Sequence, residues 1–369
     1  MEQFLYSSIF GDLTRVVQAR IDEADLARKR LFDKTHYEER LTWDTPTTGL
    51  NFEEIIGKYG LTISAATVGD SGKEPIRPYN GLDTLAERVL KHAHTYPMTI
   101  QEYRKVLSLL DSRALGDDVV KNELIRIMWG NVSDAVNGVK SKLDMIFLGA
   151  LSNEGKFEFD ETTNPEGGVR GTIDYKMPEE NKAKVKKDWT VANIDTVDVF
   201  EDLQAMQEAY ADKSPIAEVW LSQSKLSYIL RNKAIKQIIY GTDRKNSPLL
   251  LSTLNEFMQI NNMPTFKVIQ RQVGILNQEG VLNSYTPFNS KNLVFVPEGN
   301  LGVIKNAFAD SELRPEPGVT YSNDGRIRIS QWGVGETTNS NGVEFTKAES
   351  LSLPVITAIN GIYSLKTEA

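Results

Sequence analysis

Three histidines, a glycine-rich turn, two adjacent aspartates and a run of lysines are the residues of this 369-residue chain whose types and spacing could do chemistry. His92 and His94 stand two apart, so a strand would point both imidazoles to one face. Two nitrogen ligands with no third partner nearby in sequence do not make a metal site. His36 sits in a charged stretch, where a solvated ring is expected. Gly69-Asp70-Ser71-Gly72-Lys73 has the outline of a phosphate loop. Thr67, however, stands where the first glycine is needed, and Glu74 replaces the required Ser or Thr. The tip of a hairpin explains these residues better. No Gly-x-Ser-x-Gly elbow occurs. Asp117 and Asp118 suit a helix start, where carboxylates accept orphan amide hydrogens and meet the positive end of the dipole. Lys182, Lys184, Lys186 and Lys187 read as a solvated face. The chain has no cysteine, which excludes disulfides, thiolate metal sites and cysteine nucleophiles. The sequence therefore predicts no catalytic, metal or cofactor-binding residue.

Composition narrows the class further. Hydrophobic residues make up 40% and charged residues 25% of the chain, the balance of an ordinary globular protein. No apolar run approaches the roughly 20 residues that cross a bilayer, and Met1-Glu2-Gln3-Phe4 lacks the basic start of a secretory signal. Cytoplasmic maturation with no membrane partner is expected. A net charge of -8 repels bare nucleic acid overall, so contact with DNA is expected to be weak and without sequence preference.

The elements that must position these residues are uneven. Residues 1 to about 45 form a charged stretch with helical patches, the first at Leu13, Val16, Val17 and Ile21. It is either a solvated terminal helix or an arm that folds against a neighbouring copy. Leu61 to Val68 is strand-like, the turn at 69–72 follows, and Leu82 to Tyr96 offers a return strand whose first half is equally compatible with helix. A two-stranded excursion of this length needs a surface to lie on. From Val120 to Leu151, apolar residues recur at steps of three and four through Leu124, Ile127, Met128, Val132, Val136, Val139, Leu143 and Phe147. That stripe predicts one helix over 117–151, roughly 50 Å long, stopped at Asn153 to Gly155. Gly130 and Gly138 inside it predict close packing or a bend. Lys156–Asp160 and Gly171–Tyr175 alternate about a strong turn at Asn164–Gly168, which predicts a hairpin. Helices at Phe200–Tyr210, Ser222–Asn232 and Ser252–Ile260 and strands at Glu218–Leu221, Thr265–Ile269 and Leu293–Pro297 follow. The last fifty residues are rich in strand, with Arg326–Ile329 and Leu353–Ile356 the best candidates.

The order of these features resembles the major capsid proteins of tailed phages, in particular the lambda-type capsid protein E family. The resemblance is carried by Leu143-Asp144-Met145-Ile146-Phe147-Leu148-Gly149-Ala150-Leu151, by Gly171-Thr172-Ile173-Asp174-Tyr175, and by Val219-Trp220-Leu221-Ser222. Asn292 to Gly299 and Ser352-Leu353-Pro354-Val355 add to it. It implies an α+β chain with the HK97-like capsid fold. The expected parts are an N-terminal arm at 1–50, an extended loop at 51–98, a peripheral domain at 99–195 and 319–369 around the spine helix, and an axial domain at 196–318. It also implies self-assembly into pentamers and hexamers, an icosahedral shell around double-stranded DNA in the virion, and scaffolding, portal and decoration proteins as partners. Asp70, Lys73, Glu74 and Arg77 near the loop tip would then meet a neighbouring copy, across a spine helix carrying Leu124, Met128, Val132 and Leu143. An encapsulin-like compartment is the alternative within this fold, and a soluble α/β enzyme using carboxylates the alternative outside it.

Overall fold

The computed structural model describes residues 35–57, 83–99, 101–102, 104–105, 108, 117–242, 247–333 and 344–368, with residues 117–131 described by backbone alone. Two sheets and one long helix organise them. The larger sheet runs in the order β1 (Leu41–Trp43), β13 (Gly302–Ala307), β16 (Glu344–Val355), β15 (Ile327–Gly333) and β14 (Thr320–Asp324). A further strand, β4 (Leu90–Met98), lies antiparallel to β16 from Leu90↔Ser352 to Met98↔Glu344. The smaller sheet runs β7 (Lys182–Lys184), β17 (Tyr363–Lys366), β12 (Asn292–Pro297), β8 (Ile216–Leu221) and β9 (Thr265–Val268). Three hairpins complete the strands: β2 (Asn51–Ile56) with β3 (Asp83–Arg88), β5 (Lys156–Phe159) with β6 (Gly171–Asp174), and β10 (Val273–Leu276) with β11 (Leu282–Tyr285).

The helix α1 spans Asp117–Ser152, 36 residues and about 54 Å. It crosses β16 and β4. Between Val132 and Lys142 buried and partly exposed positions alternate in the helical period, with Val132, Val136 and Val139 inward. From Leu143 to Ser152 every residue is buried, so the expected stripe widens into burial on all sides. Gly138 answers the packing question: a Cβ there would lie 2.0 Å from His94 Cε1, so the absent side chain admits the imidazole from β4. The helix stops where the sequence predicts. Glu154 and Gly155 have φ of 56° and 83°, and the Gly155 amide donates back to the Ala150 carbonyl at 2.9 Å, closing the last turn.

The smaller sheet is a wall between two cores. On β8, Val219 and Leu221 face one core and Trp220 the other; on β12, Leu293 and Phe295 face one and Val294 and Val296 the other. A strand buried on both faces reads as an unbroken apolar run, which is why Leu293–Pro297 was legible. One core gathers the end of α1, Phe157, Phe159, Ile173, Tyr175 and the strands Leu353–Ile356. The other gathers α2 (Val199–Tyr210), α3 (Gln223–Arg231), α4 (Lys233–Tyr240) and α5 (Leu251–Ile260). Asp198 caps α2 by accepting from the amides of Phe200 and Glu201, and Asn232 caps α4 by accepting from Ile235.

Several expectations meet a different arrangement. Residues 35–47, read as part of an arm, are docked on the chain's own body: β1 pairs parallel with β13, and Thr47 bridges to Ala307. His36 is 8% exposed rather than solvated, because the fully buried Asp144 on α1 draws it inward. Asp144 Oδ1 accepts the amides of His36 at 2.7 Å and Tyr37 at 3.0 Å. Its Oδ2 lies 3.3 Å from His36 Nδ1 and 3.2 Å from Arg271 Nε. The ambiguous Leu82–Leu90 stretch is strand over Asp83–Arg88. The expected boundaries at 195 and 318 are crossed by pairing: β7 and β17 belong to the smaller sheet, and β13 to the larger one. Helix α4 and the β10–β11 hairpin were not expected.

Leu143 is fully buried in the first core. Leu143→Asp is expected to place an unpaired charge there, cost more than about 3 kcal/mol and move the protein into the insoluble fraction on expression. A wild-type melting temperature for the variant would contradict this account. Gly138→Ala is expected to lower stability by about 1–3 kcal/mol through overpacking against His94, measured by urea unfolding. A gain in stability would mean that helix propensity outweighs the clash.

Candidate assembly surface

The described surface that best fits contact between molecules is the β2–β3 hairpin, and alternation decides how it can be used. Antiparallel pairing puts Asn51 opposite Arg88, Glu53 opposite Ala86 and Ile55 opposite Thr84 on one face. All six are exposed, Ile55 by half. The other face is anchored: Ile56 and Leu85 enter the first core and Phe52 packs against it. Both ends of the described ribbon are pinned by backbone bonds: Val89 N–H to the Leu50 carbonyl at 2.8 Å at the root, and Gly57 N–H to the Thr357 carbonyl at 2.9 Å at the end nearer the loop. Lys176 Nζ donates to the Thr84 carbonyl at 3.2 Å.

Lys305 on β13 ties this hairpin to the segment before it. Its ammonium meets Asp44 at 2.5 Å and Glu54 at 2.6 Å. Burial pulls this amine down, but the two carboxylates outweigh burial and hold it above its ordinary value. The ribbon thus has an anchored inner face and an exposed outer one. Asp70, Lys73, Glu74 and Arg77 lie in the segment 58–82, outside the described residues.

The other residues singled out from sequence fall in different places. Val132 and Leu143 are buried inside their own subunit, where they pack α1 in position. Leu124 and Met128 lie on the helical backbone of α1, and their side chains are outside the described residues. His92 and His94 share β4 but serve packing. His92 Nε2 meets the Ser352 carbonyl at 3.1 Å and His94 Nε2 the Ala135 carbonyl at 2.7 Å. No group of His, Cys, Asp and Glu among the described residues could hold a metal. The lysine run makes surface contacts: Lys182 with Glu179, Lys186 with Glu201, and Lys187 Nζ donating to the Thr196 hydroxyl at 2.6 Å.

Two groups titrate away from their ordinary ranges. Burial pushes His92 down to about 4, with the nearby Lys142 ammonium adding to the effect. Burial also pushes Lys142 down to about 8, opposed by Asp160. Perturbed groups in a cleft are candidates for catalysis. Here Lys142 Nζ donates to the Thr163 carbonyl at 2.6 Å and sits 5.7 Å from the Phe159 ring centre, a contact that fastens the β5–β6 turn to α1. Sequence reasoning missed Asp144, Lys142 and Lys305. The one signal for them was a charged residue interrupting an apolar run.

A family model for phage major capsid protein E matches residues 88–367. No curated protein is similar enough in sequence to count as a relative. Among solved structures, a protein assigned as a prophage capsid protein of Escherichia coli CFT073 is 13% identical, with a TM-score of 0.59 over 96% of this chain and 98% of that one. A phage-related protein of Bordetella bronchiseptica RB50 is 13% identical, with a TM-score of 0.45 over 96% of each chain. The capsid of cyanophage A-1(L) is 12% identical, with a TM-score of 0.42 over 93% of this chain and 94% of that one.

His92 gives the fold a pH dependence with a definite sign. Its native value of about 4 lies below the ordinary 6.5, so the unfolded chain takes up the proton first. Stability is full above pH 6.5 and falls as pH drops toward 4, by about 3 kcal/mol from this group. Urea unfolding of His92→Gln at about pH 7 and about pH 4.5 is expected to show a correspondingly smaller acid loss than the parent. An unchanged loss in the variant would assign it to other groups.

Proposed function

The chain belongs to the phage major capsid protein E family and is a shell-forming structural protein with the HK97-like fold; from that premise we propose how its parts build the shell. Copies associate into pentamers and hexamers that tile an icosahedral head around double-stranded DNA. The observation that carries this reading, beyond the family match, is the β2–β3 ribbon, fixed on its inner face and open to water on its outer one. The outer face and the tip with Asp70, Lys73, Glu74 and Arg77 lie across a neighbouring subunit. Such a contact joins two different patches, and a patch-to-different-patch contact closes into rings when its rotation closes. Each contact is modest, and many made at once hold the shell. Charged groups at the tip set register and suppress wrong pairings more than they add strength.

The same reading assigns the chain no catalytic step and no cofactor. Its partners are other copies of itself, the packaged DNA through contacts that do not read sequence, and the scaffolding, portal and decoration proteins such a head uses. The family match favours a phage head over an encapsulin-like compartment.

Deleting residues 64–80 is expected to leave soluble, folded subunits that form no particles, as judged by electron microscopy and circular dichroism. Particles at the parent's yield would remove the loop from the assembly mechanism.

A further inference from the structure

The β10–β11 hairpin carries a surface that neither core explains. Leu276 and Leu282 stand opposite one another across its strands and are 44% and 69% exposed, and Val281 beside the turn is 53% exposed. Val273, on the opposite face, is buried. Gly274 lets Leu282 lie flat along the ribbon, because a Cβ at that position would come 2.9 Å from Leu282 Cδ1. Gln278 Nε2 donates to the Pro165 carbonyl at 3.4 Å. That bond sets the turn after β5, with the half-exposed Val169, beside the tip.

Charge is scarce here. Residues 272–290 include one charged side chain, Glu279, whereas 19 residues of a chain that is 25% charged would hold about five, and loss of charge marks the centres of protein interfaces. At the hairpin's root lies a cleft of about 610 Å³ lined by amides and hydroxyls, among them Ser222, Gln223, Gln270, Thr286 and Asn289. Arg271, which also lines it, is engaged by Asp144 and Ser141.

These features choose the occupant. A nucleic-acid backbone needs cations, and residues 272–290 contain none. An apolar ribbon with amides and hydroxyls at its root suits protein, and the exposed charges on the neighbouring turn, Glu166 and Arg170, are of opposite sign. The four exposed side chains together offer on the order of 300 Å² of apolar surface, at the lower end of functional patches, against about 800 Å² per partner in a stable pairwise complex. A contact that small persists only when its occupant is held elsewhere too, as subunits of a shell are. We propose that a second copy of this chain seats on the β10–β11 hairpin and the cleft at its root. The proposal rests on the shell reading and adds to it a contact separate from the β2–β3 ribbon.

Because the chain has no cysteine, a single Leu282→Cys substitution can carry a benzophenone maleimide with no competing thiol. Illumination of assembled particles is expected to give covalent chain-to-chain dimers, at least tenfold more than dispersed subunits give at equal concentration. The cross-linked peptides should come from this chain alone. Cross-links only within a chain, or none in intact particles, would overturn the proposal. The double variant Leu276→Ser, Leu282→Ser is expected to melt as the parent does and yield at least tenfold fewer particles. Parental yields would likewise overturn it. If the unsubstituted chain forms no particles, the shell reading itself fails; if it does and the hairpin label stays silent, only this contact fails.

Discussion

A single buried carboxylate holds the described parts in relation to one another. Asp144 lies on the fully buried end of α1 with no exposure, where an unpaired charge would be untenable. It is sustained by two backbone amides and an imidazole from residues 36–37 and by a guanidinium from residue 271. Those partners come from segments more than one hundred residues away on either side, so the charge is satisfied only once three parts of the chain have met. Lys140, one turn earlier, repeats the device more weakly, reaching Asp324 at 2.8 Å and Glu38 at 3.4 Å. Buried ion pairs contribute less to net stability than their contacts suggest, and breaking one is expensive. Here they fix register: the helix can sit against the sheet in one way only.

The same economy appears around Trp220. Its indole N–H donates to Glu218 at 2.7 Å, Arg40 and Lys267 lie over its ring, and Arg40 also pairs with Glu218. One aromatic side chain thereby joins the smaller sheet to the segment that precedes β1. The shell protein's two cores lie on either side of the smaller sheet. Strands β8 and β12 give alternate side chains to each core, so the two share one wall.

What was legible in the sequence follows from how local each signal is. The helix 117–152, the β5–β6 hairpin and the strand Asn292–Pro297 announce themselves through periods of 3.6, 2 and continuous burial within a dozen residues. β4 lies within the expected return strand, but its partner was hidden, because Leu90-Lys91-His92-Ala93-His94-Thr95-Tyr96 buries His92 and leaves Lys91 and Ala93 exposed, a pattern whose sense depends on β16, some 250 residues later. β1 and β7 are three residues long and parallel to remote strands, so no local period could reveal them. His36 looked solvated because its neighbours are charged, and the counter-charge that buries it lies 108 residues away. Among the residues expected to touch a neighbour, Val132 and Leu143 were recognised as apolar spine positions, but periodicity cannot say whether an apolar face meets its own subunit or another.

The position of β17 bears on how the protein is made. Residues 363–366 form an interior strand between β7 and β12, and Thr367 beyond them is fully buried, its amide and hydroxyl both bonded to the Lys291 carbonyl. A nascent chain still on the ribosome short of these residues has a gap in the middle of its smaller sheet, and domains otherwise tend to fold as they emerge. The smaller sheet therefore closes only after residues 363–367 have been made, since β7 and β12 meet through β17 alone.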